Sequence, residues 1–180
     1  KRVTRAVPDG GPIEAHTDLV KKLDYECELA VVLGRDARDV PAGQTRDYIF
    51  GYTILNDVSA RDVQTAHKQW YFGKSLDGFT PIGPCIVTAD AFADYPPRLG
   101  IRSFVNGEKR QDSNTALQIF DIDHVIAELS QGMTLKAGTI IATGTPAGVG
   151  MGMDPPQFLK PGDVVRCEIE GIGTLTNPVK

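Results

Sequence analysis

Cysteine is scarce and scattered. The chain holds three, Cys27, Cys85 and Cys167, an odd number with no C-x-x-C spacing. That argues against a disulfide framework and for a reduced, intracellular setting. No apolar run approaches the ~20 residues that a membrane-crossing helix requires, so no membrane partner is expected. Basic runs and basic–aromatic interleaving are missing too, and the net charge is −4 at pH 7; nucleic acid is not expected as a partner. There is no G-x-S-x-G elbow and no cysteine set in a nucleophile motif, which disfavours a covalent acyl-enzyme. The Gly-rich stretch TGTPAGVGMGMDPP lacks the lysine of a G-x-x-x-x-G-K-[ST] loop and the G-x-G-x-x-G spacing, and prolines follow it rather than a helix, so nucleotide binding is disfavoured. The opening KRVTRAVPDGG has neither an initiator methionine nor a signal-peptide apolar segment. A natural N-terminal segment, including any lid, is therefore expected to precede residue 1, and a cytoplasmic location is expected with organelle targeting left open.

What is present suits one domain over residues 1–180, with 41% hydrophobic residues to build a core and 23% charged residues to solvate it. No repeats and no linker composition divide it. After a turn-rich start, a first strand is expected at about 23 to 33 and a helical turn at 41 to 49. A strand at 50 to 57 follows, then a short helix at 58 to 69 with Ser59 as its N-cap. Residues 71 to 84 read as loop and CIVTA as a brief strand. Asn106-Gly107 suits a type I′ turn inside a hairpin over 101 to 111. In DIDHVIAELSQG, Ile122, Val125, Ile126 and Leu129 recur at helical spacing and Gly132 can end the helix. GTIIATGTP reads as a strand entering a Gly-rich loop, and Val165, Cys167 and Ile169 alternate in the closing strands. Many short strands with few helices predict a β-rich α+β domain.

The stretch DYECELAVVLG carries the first chemical signal. Read as a strand, it sends Leu23, Tyr25, Cys27 and Leu29 one way and Asp24, Glu26 and Glu28 the other. It then runs into Ala30-Val31-Val32-Leu33, which reads as buried on both faces. Buried carboxylates need a partner or a metal. Glu26 and Glu28 lie on one face with Cα atoms roughly 6.5 Å apart, close enough to share a cation. Asp57, at the polar end of FGYTILND, is the candidate third acid. Three oxygen ligands without His or Cys suit Mg²⁺, Mn²⁺ or Ca²⁺ rather than Zn²⁺; the competing reading is a solvated or arginine-paired face. Cys27 reads as core. Arg61 and Gln64 follow Asp57 at four and seven residues, on one helical face if a helix begins there. Lys74 and Asp77 sit in a loop backed by aromatics, and Thr143 and Thr145 lie among glycines whose N–H groups can approach an anion.

The segments DYECELAVVLG, GYTILNDVSARDVQ, GKSLDGFTPIGP, VNGEKRQ, IIATGTPAGVG and LKPGDVVRCEIEGIGTLTNPV, in this order, resemble the catalytic domain of the fumarylacetoacetate hydrolase family from about residue 8 to the end. The resemblance implies a mixed β-sandwich roll with a few short helices, usually a homodimer. It implies Mg²⁺ or Mn²⁺ held at Glu26, Glu28 and Asp57, with Ca²⁺ as a substitute, and Lys74 contacting metal-bound substrate. Arg61, Gln64 and Thr145 map to substrate-binding positions. Hydrolytic members commonly carry a His and a Glu on a mobile helical lid upstream of the E-x-E strand. None of His16, His67 and His124 sits in such a motif, and His67, near Lys74, is the one to watch. Either the lid precedes residue 1 or the water-activating pair is lacking.

The expected function is a divalent-metal-dependent enzyme for a small 2-oxo acid, with Lys74 and Arg61 as catalytic residues. Hydrolytic C–C cleavage of an acylpyruvate or fumarylacetoacetate-type β-diketo acid through an enolate is the leading expectation. Decarboxylation of an oxaloacetate-type substrate, isomerisation and hydration or dehydration are alternatives on the same site. Each residue also has a plainer reading. Lys74 is either a solvated loop lysine or, beside a cation that disfavours its protonated form, a proton carrier. Asp77 orients its loop or does nothing. Arg61 either pairs with Asp57, Asp62 or Glu28 alone, or binds a substrate carboxylate. A non-catalytic protein on the same scaffold, or an oligomeric interaction domain whose acidic face meets a basic partner, remains a rival class.

Overall fold

The computed structural model describes residues 1–66 and 68–180. Its strands are β1 (Leu23–Asp24), β2 (Cys27–Leu33), β3 (Ile49–Asn56), β4 (Ser59–Ala60), β5 (Ile82–Thr88), β6 (Gly100–Val105), β7 (Glu108–Asn114), β8 (Ile140–Ala142), β9 (Val164–Ile169) and β10 (Gly173–Pro178). They form two four-stranded antiparallel sheets, in the orders β5-β3-β2-β8 and β10-β9-β6-β7, with β1 and β4 as a separate pair. The sheets close on one core: Leu29, Val31, Ile54, Ile101, Val165, Cys167, Ile169 and Leu175 are all buried in a single cluster. Alternation on β9 works as expected, Val165, Cys167 and Ile169 facing that core. This is the expected β-rich sandwich. Its parallel component is confined to the bridges Val7–Pro81 and Ile13–Val179.

Local chemistry sets the connections. Asn106 and Gly107 both take positive φ (53° and 84°), the pairing that a type I′ turn needs to match strand twist between β6 and β7. Helix α2 (Ile122–Ser130) is capped by Asp121, whose Oδ1 accepts from the His124 N–H at 2.8 Å. It buries Ile122 and Ile126 but leaves Leu129 40% exposed, so its apolar stripe is narrower than the sequence spacing implies.

Several boundaries differ from expectation, and two of them shape the strands beside the site. The strand expected over 23 to 33 is interrupted at Tyr25-Glu26, where β1 leaves to pair with β4 in the register Leu23–Ala60 and Asp24–Ser59. For the same reason Ser59 is a strand residue and not an N-cap: its hydroxyl donates to the Asp57 carbonyl (2.9 Å), and among the described residues the helix, α1, covers Arg61–Ala66. Among the described residues no helix is long and apolar enough to cross a membrane.

Candidate metal centre

The antiparallel register of β2 on β3 sets Cys27 opposite Asn56, so the residues flanking that pair meet at the sheet end. The Asp57 N–H donates to the Glu26 carbonyl (2.9 Å), and the Glu26 N–H donates to Asn56 Oδ1 (3.0 Å). These bonds bring a carboxylate oxygen from each of Glu26, Glu28 and Asp57 within 4.8 Å of one another. All three are buried. Glu28 also accepts from the Gly144 N–H at 2.8 Å, so the loop after β8 reaches the cluster.

Cations surround this group. Arg61, opening α1, points Nη1 at Glu26 Oε1 (2.6 Å) and at Gln64 Oε1 (3.2 Å), while its Nε donates to Asp24 Oδ2 (2.9 Å). Its partners are thus Asp24 and Glu26, not the Asp57, Asp62 or Glu28 considered from sequence. Lys74 sits at the end of a helical turn, Phe72–Lys74, in the segment expected to be loop. Its ammonium donates to Glu26 Oε2 (2.9 Å), Asp57 Oδ2 (2.6 Å) and Ser59 Oγ (3.0 Å). With an 11% exposed side chain it is no solvated lysine. Lys1 adds a third cation, the second ammonium, on Asp57 Oδ1 and the Phe79 carbonyl.

The charges do not balance. Asp24, Glu26, Glu28 and Asp57 face Lys1, Arg61 and Lys74; the other three acids are each ion-paired, while Glu28 accepts from a neutral amide. Burial, then the neighbouring Asp57 and Glu26 charges, push its pKa up to about 8 against the Gly144 N–H and Lys74. Burial pulls the Lys74 ammonium down, but Asp57 and Glu26 outweigh it and hold its pKa above the ordinary lysine value. At Lys1 burial prevails and the pKa is lowered. An all-oxygen set of three buried carboxylates fits a hard divalent cation. The ammonium groups of Lys1 and Lys74 occupy positions against carboxylate oxygens that such an ion would share.

Thr145 stands beside this cluster with its hydroxyl turned away: Oγ1 donates to the Cys27 carbonyl (2.9 Å) and accepts from Gln111 Nε2 (2.8 Å). Gln111, fully buried, also donates to the Pro146 carbonyl (2.7 Å) and accepts from the Cys27 N–H (3.1 Å) and Ser103 Oγ (2.8 Å). Thr143 Oγ1 donates to the Leu29 carbonyl (2.8 Å). The TGTP segment is thereby laced along β2. A cavity of about 440 Å³ lies along the same segment, lined by Leu29, Gln118, Phe120, Thr143 and Thr145 but by none of the three acids. His16 donates from Nε2 to the Asp77 carbonyl (2.8 Å), and His124 stacks on Phe120. His67 lies outside the described residues. Sequence reasoning missed Lys1 and Gln111, which have no local signal, and the role of Asp24, whose period-two spacing with Glu26 and Glu28 was visible.

The whole chain, residues 1–180, matches the family model described as fumarylacetoacetate (FAA) hydrolase C-terminal. Among solved structures, a fumarylacetoacetate hydrolase from the psychrophile Exiguobacterium antarcticum superimposes with a TM-score of 0.93 at 52% identity, over 96% of this chain and 62% of that one. A 5-carboxymethyl-2-hydroxymuconate delta-isomerase from Mycobacterium smegmatis gives 0.84 at 43% identity, over 96% and 64%. The oxaloacetate tautomerase YisK of Bacillus subtilis (strain 168) is 47% identical over 170 residues, 94% of this chain and 56% of that protein. The chain thus spans under two thirds of the length of these relatives. Matched by the family model from end to end, with the acids and basic residues of the motif gathered in one place, the chain belongs to the fumarylacetoacetate hydrolase family.

Proposed function

We propose that this chain is the catalytic domain of a divalent-metal-dependent enzyme that forms and reprotonates the enolate of a small 2-oxo acid. One observation carries the reading: three buried carboxylates within 4.8 Å of one another, Glu26, Glu28 and Asp57, pressed against a guanidinium and an ammonium. When bound, Mg²⁺ or Mn²⁺ supplies Lewis acidity to the 2-oxo oxygen. Arg61 binds the substrate carboxylate, since a guanidinium matches it in two hydrogen bonds. Gln64, bonded to Arg61, orients that end, and Thr145 holds the adjoining loop in place. Lys74 carries the proton to and from the carbon next to the carbonyl, and burial of the site keeps bulk water from competing.

Proton transfer alone gives tautomerisation or isomerisation; hydrolytic C–C cleavage, the leading expectation from sequence, requires an activated water as well. The Lys74 ammonium touches two of the three acids, and that contact supports proton transfer as the first reading. Two of the similar proteins are named for a tautomerase and an isomerase, while the hydrolase name of the Exiguobacterium protein keeps hydrolysis as the second reading. A homodimer belongs to the same proposal, supported by the exposed apolar residues Leu117, Ile119 and Phe120.

The test is proton exchange at C3 of oxaloacetate and pyruvate in D₂O, followed by NMR with Mg²⁺ or Mn²⁺ and again with chelator, alongside acylpyruvate cleavage. Metal-dependent exchange faster than the solution rate is expected. A protein shown to bind Mn²⁺ that accelerates neither exchange nor cleavage of any of these acids would overturn the reading.

A further inference from the structure

Asp24 has no place in the acid cluster, yet it is the most completely enclosed carboxylate around it, with no exposed surface. Four donors converge on it: the N–H groups of Tyr25 (2.9 Å), Gly150 (2.7 Å) and Met151 (3.0 Å), and Arg61 Nε at 2.9 Å. The approach of Gly150 depends on its lacking a side chain. A Cβ there would lie 2.0 Å from the Gln157 carbonyl oxygen and 2.8 Å from Asp24 Oδ1. The Gly-rich stretch after β8 therefore does hold anions with its backbone amides, and those anions are the protein's own: Glu28 at Gly144 and Asp24 at Gly150 and Met151.

The consequence falls on Arg61. A guanidinium on a three-carbon stem is rigid only in its own plane, and its direction must come from outside. Asp24 takes the Nε–H, and the Nη1 edge is then presented to Glu26 and Gln64 at the cluster. Tethered at one edge by a carboxylate that is itself fixed by three amides, the guanidinium cannot swing round to embrace Glu26 with both nitrogens. We infer that Asp24 is a positioning residue, which aims Arg61 at the carboxylate of the incoming 2-oxo acid. The inference rests on the role given to Arg61 above and goes beyond it by naming what holds that residue in its working direction.

A double-mutant cycle of Asp24→Asn and Arg61→Ala tests this in the full chain, with KM and kcat for the 2-oxo acid and Mn²⁺ affinity measured for each variant. Asp24→Asn is expected to raise KM about tenfold or more, the worth of one charge-assisted hydrogen bond, with kcat changed less. Mn²⁺ affinity should stay within about twofold, because Asp24 bonds to none of the three acids. In the Arg61→Ala background the same change should add nothing to KM. A readout independent of metal and turnover is the melting temperature of the metal-free variants in millimolar guanidinium chloride: Arg61→Ala, keeping Asp24, is stabilised, and the double variant is not. A wild-type KM in Asp24→Asn, an equal KM effect in both backgrounds, or equal guanidinium responses would overturn the inference. Should Arg61→Ala itself keep a wild-type KM, the role of Arg61 in substrate binding fails first, and the two failures are told apart. If Asp24→Asn yields no folded protein, Asp24→Glu, which keeps the charge and shifts it by one methylene, is read by the same criteria.

Discussion

Glu28→Gln is expected to make the metal-free protein more stable while removing metal binding. In the folded chain the Glu28 carboxyl is raised to about 8 from an ordinary value of 4.5 by burial and by the charges of Asp57 and Glu26. Folding therefore binds a proton between those two values, and stability falls as pH rises from about 4.5 to about 8, then levels off. At pH 7 the interval above 4.5, at about 1.4 kcal/mol per pH unit, amounts to roughly 3 kcal/mol against the fold. Glutamine carries no charge, and its side-chain oxygen can still accept from the Gly144 N–H. In chelator, Glu28→Gln should match wild type near pH 5 and exceed it near pH 8. For a chain of this size the gap at pH 7 should be roughly 6–12 °C in melting temperature, and larger at pH 8. Mn²⁺ at a hundredfold excess over its Kd should return about 3 kcal/mol to wild type and nothing to the variant. Thermal and urea denaturation from pH 5 to 8.5, with and without Mn²⁺, reads all of this. Parallel pH profiles for the two proteins in chelator, or equal stabilisation of both by Mn²⁺, would refute the claim that Glu28 is an uncompensated buried charge.

The remaining predictions concern its neighbours. Glu26→Gln and Asp57→Asn should each abolish the response of activity and stability to Mg²⁺ or Mn²⁺, with the far-UV dichroism of the strands retained; full activity in chelator-treated wild type would contradict this. Lys74→Ala should lower kcat by about 10²-fold or more, the usual worth of a positioned proton carrier, with a smaller change in Mn²⁺ affinity by calorimetry. Wild-type turnover would remove Lys74 from the chemistry. Gln111→Leu leaves the Cys27 N–H and the Thr145 hydroxyl short of a partner and should cost roughly 2–3 kcal/mol in urea denaturation. A neutral result would show that the TGTP segment holds its place without it.

Legibility in the sequence followed the range of the interaction. The acids were visible because strand period and burial are local: three carboxylates at spacing two, running into an apolar stretch, demand compensation wherever the strand goes. Turn chemistry at Asn106-Gly107 and the helical spacing of Ile122 and Ile126 were local as well. Ser59 shows where that fails. Its N-cap signal is sound, but the register Asp24–Ser59 binds it into a strand pair, and only the partner 35 positions earlier decides. The start of β5 at Ile82 likewise depends on its pairing with Leu55, so residues rich in Gly and Pro read as loop. Gln111 meets Cys27 across 84 residues, and Lys1 meets Asp57 across 56; nothing near either residue announces the contact. Leu129 lies at helical spacing yet stays 40% exposed, while Ile122 and Ile126 are buried: spacing marks a face but not how wide a part of it is covered.

Glu28 and Lys74 are two expressions of one imbalance. Four acids and three basic groups converge, and two of the acids are each shared between two basic groups. Glu26 is bonded to both Arg61 and Lys74, and Asp57 to both Lys1 and Lys74. Charge added at these carboxylates lowers the hold on every one of them at once. The Lys74 ammonium keeps its proton because Asp57 and Glu26 outweigh the effect of burial. A cation held by the same oxygens would weaken that support while the burial stays, and would favour loss of the lysine proton. Arg61 responds differently, since its second anchor, Asp24, lies outside the shared cluster and is held by amides that no cation displaces. On the roles proposed for these two residues, Lys74 would change its protonation with the charge of the site, while Arg61 would keep both its charge and its direction.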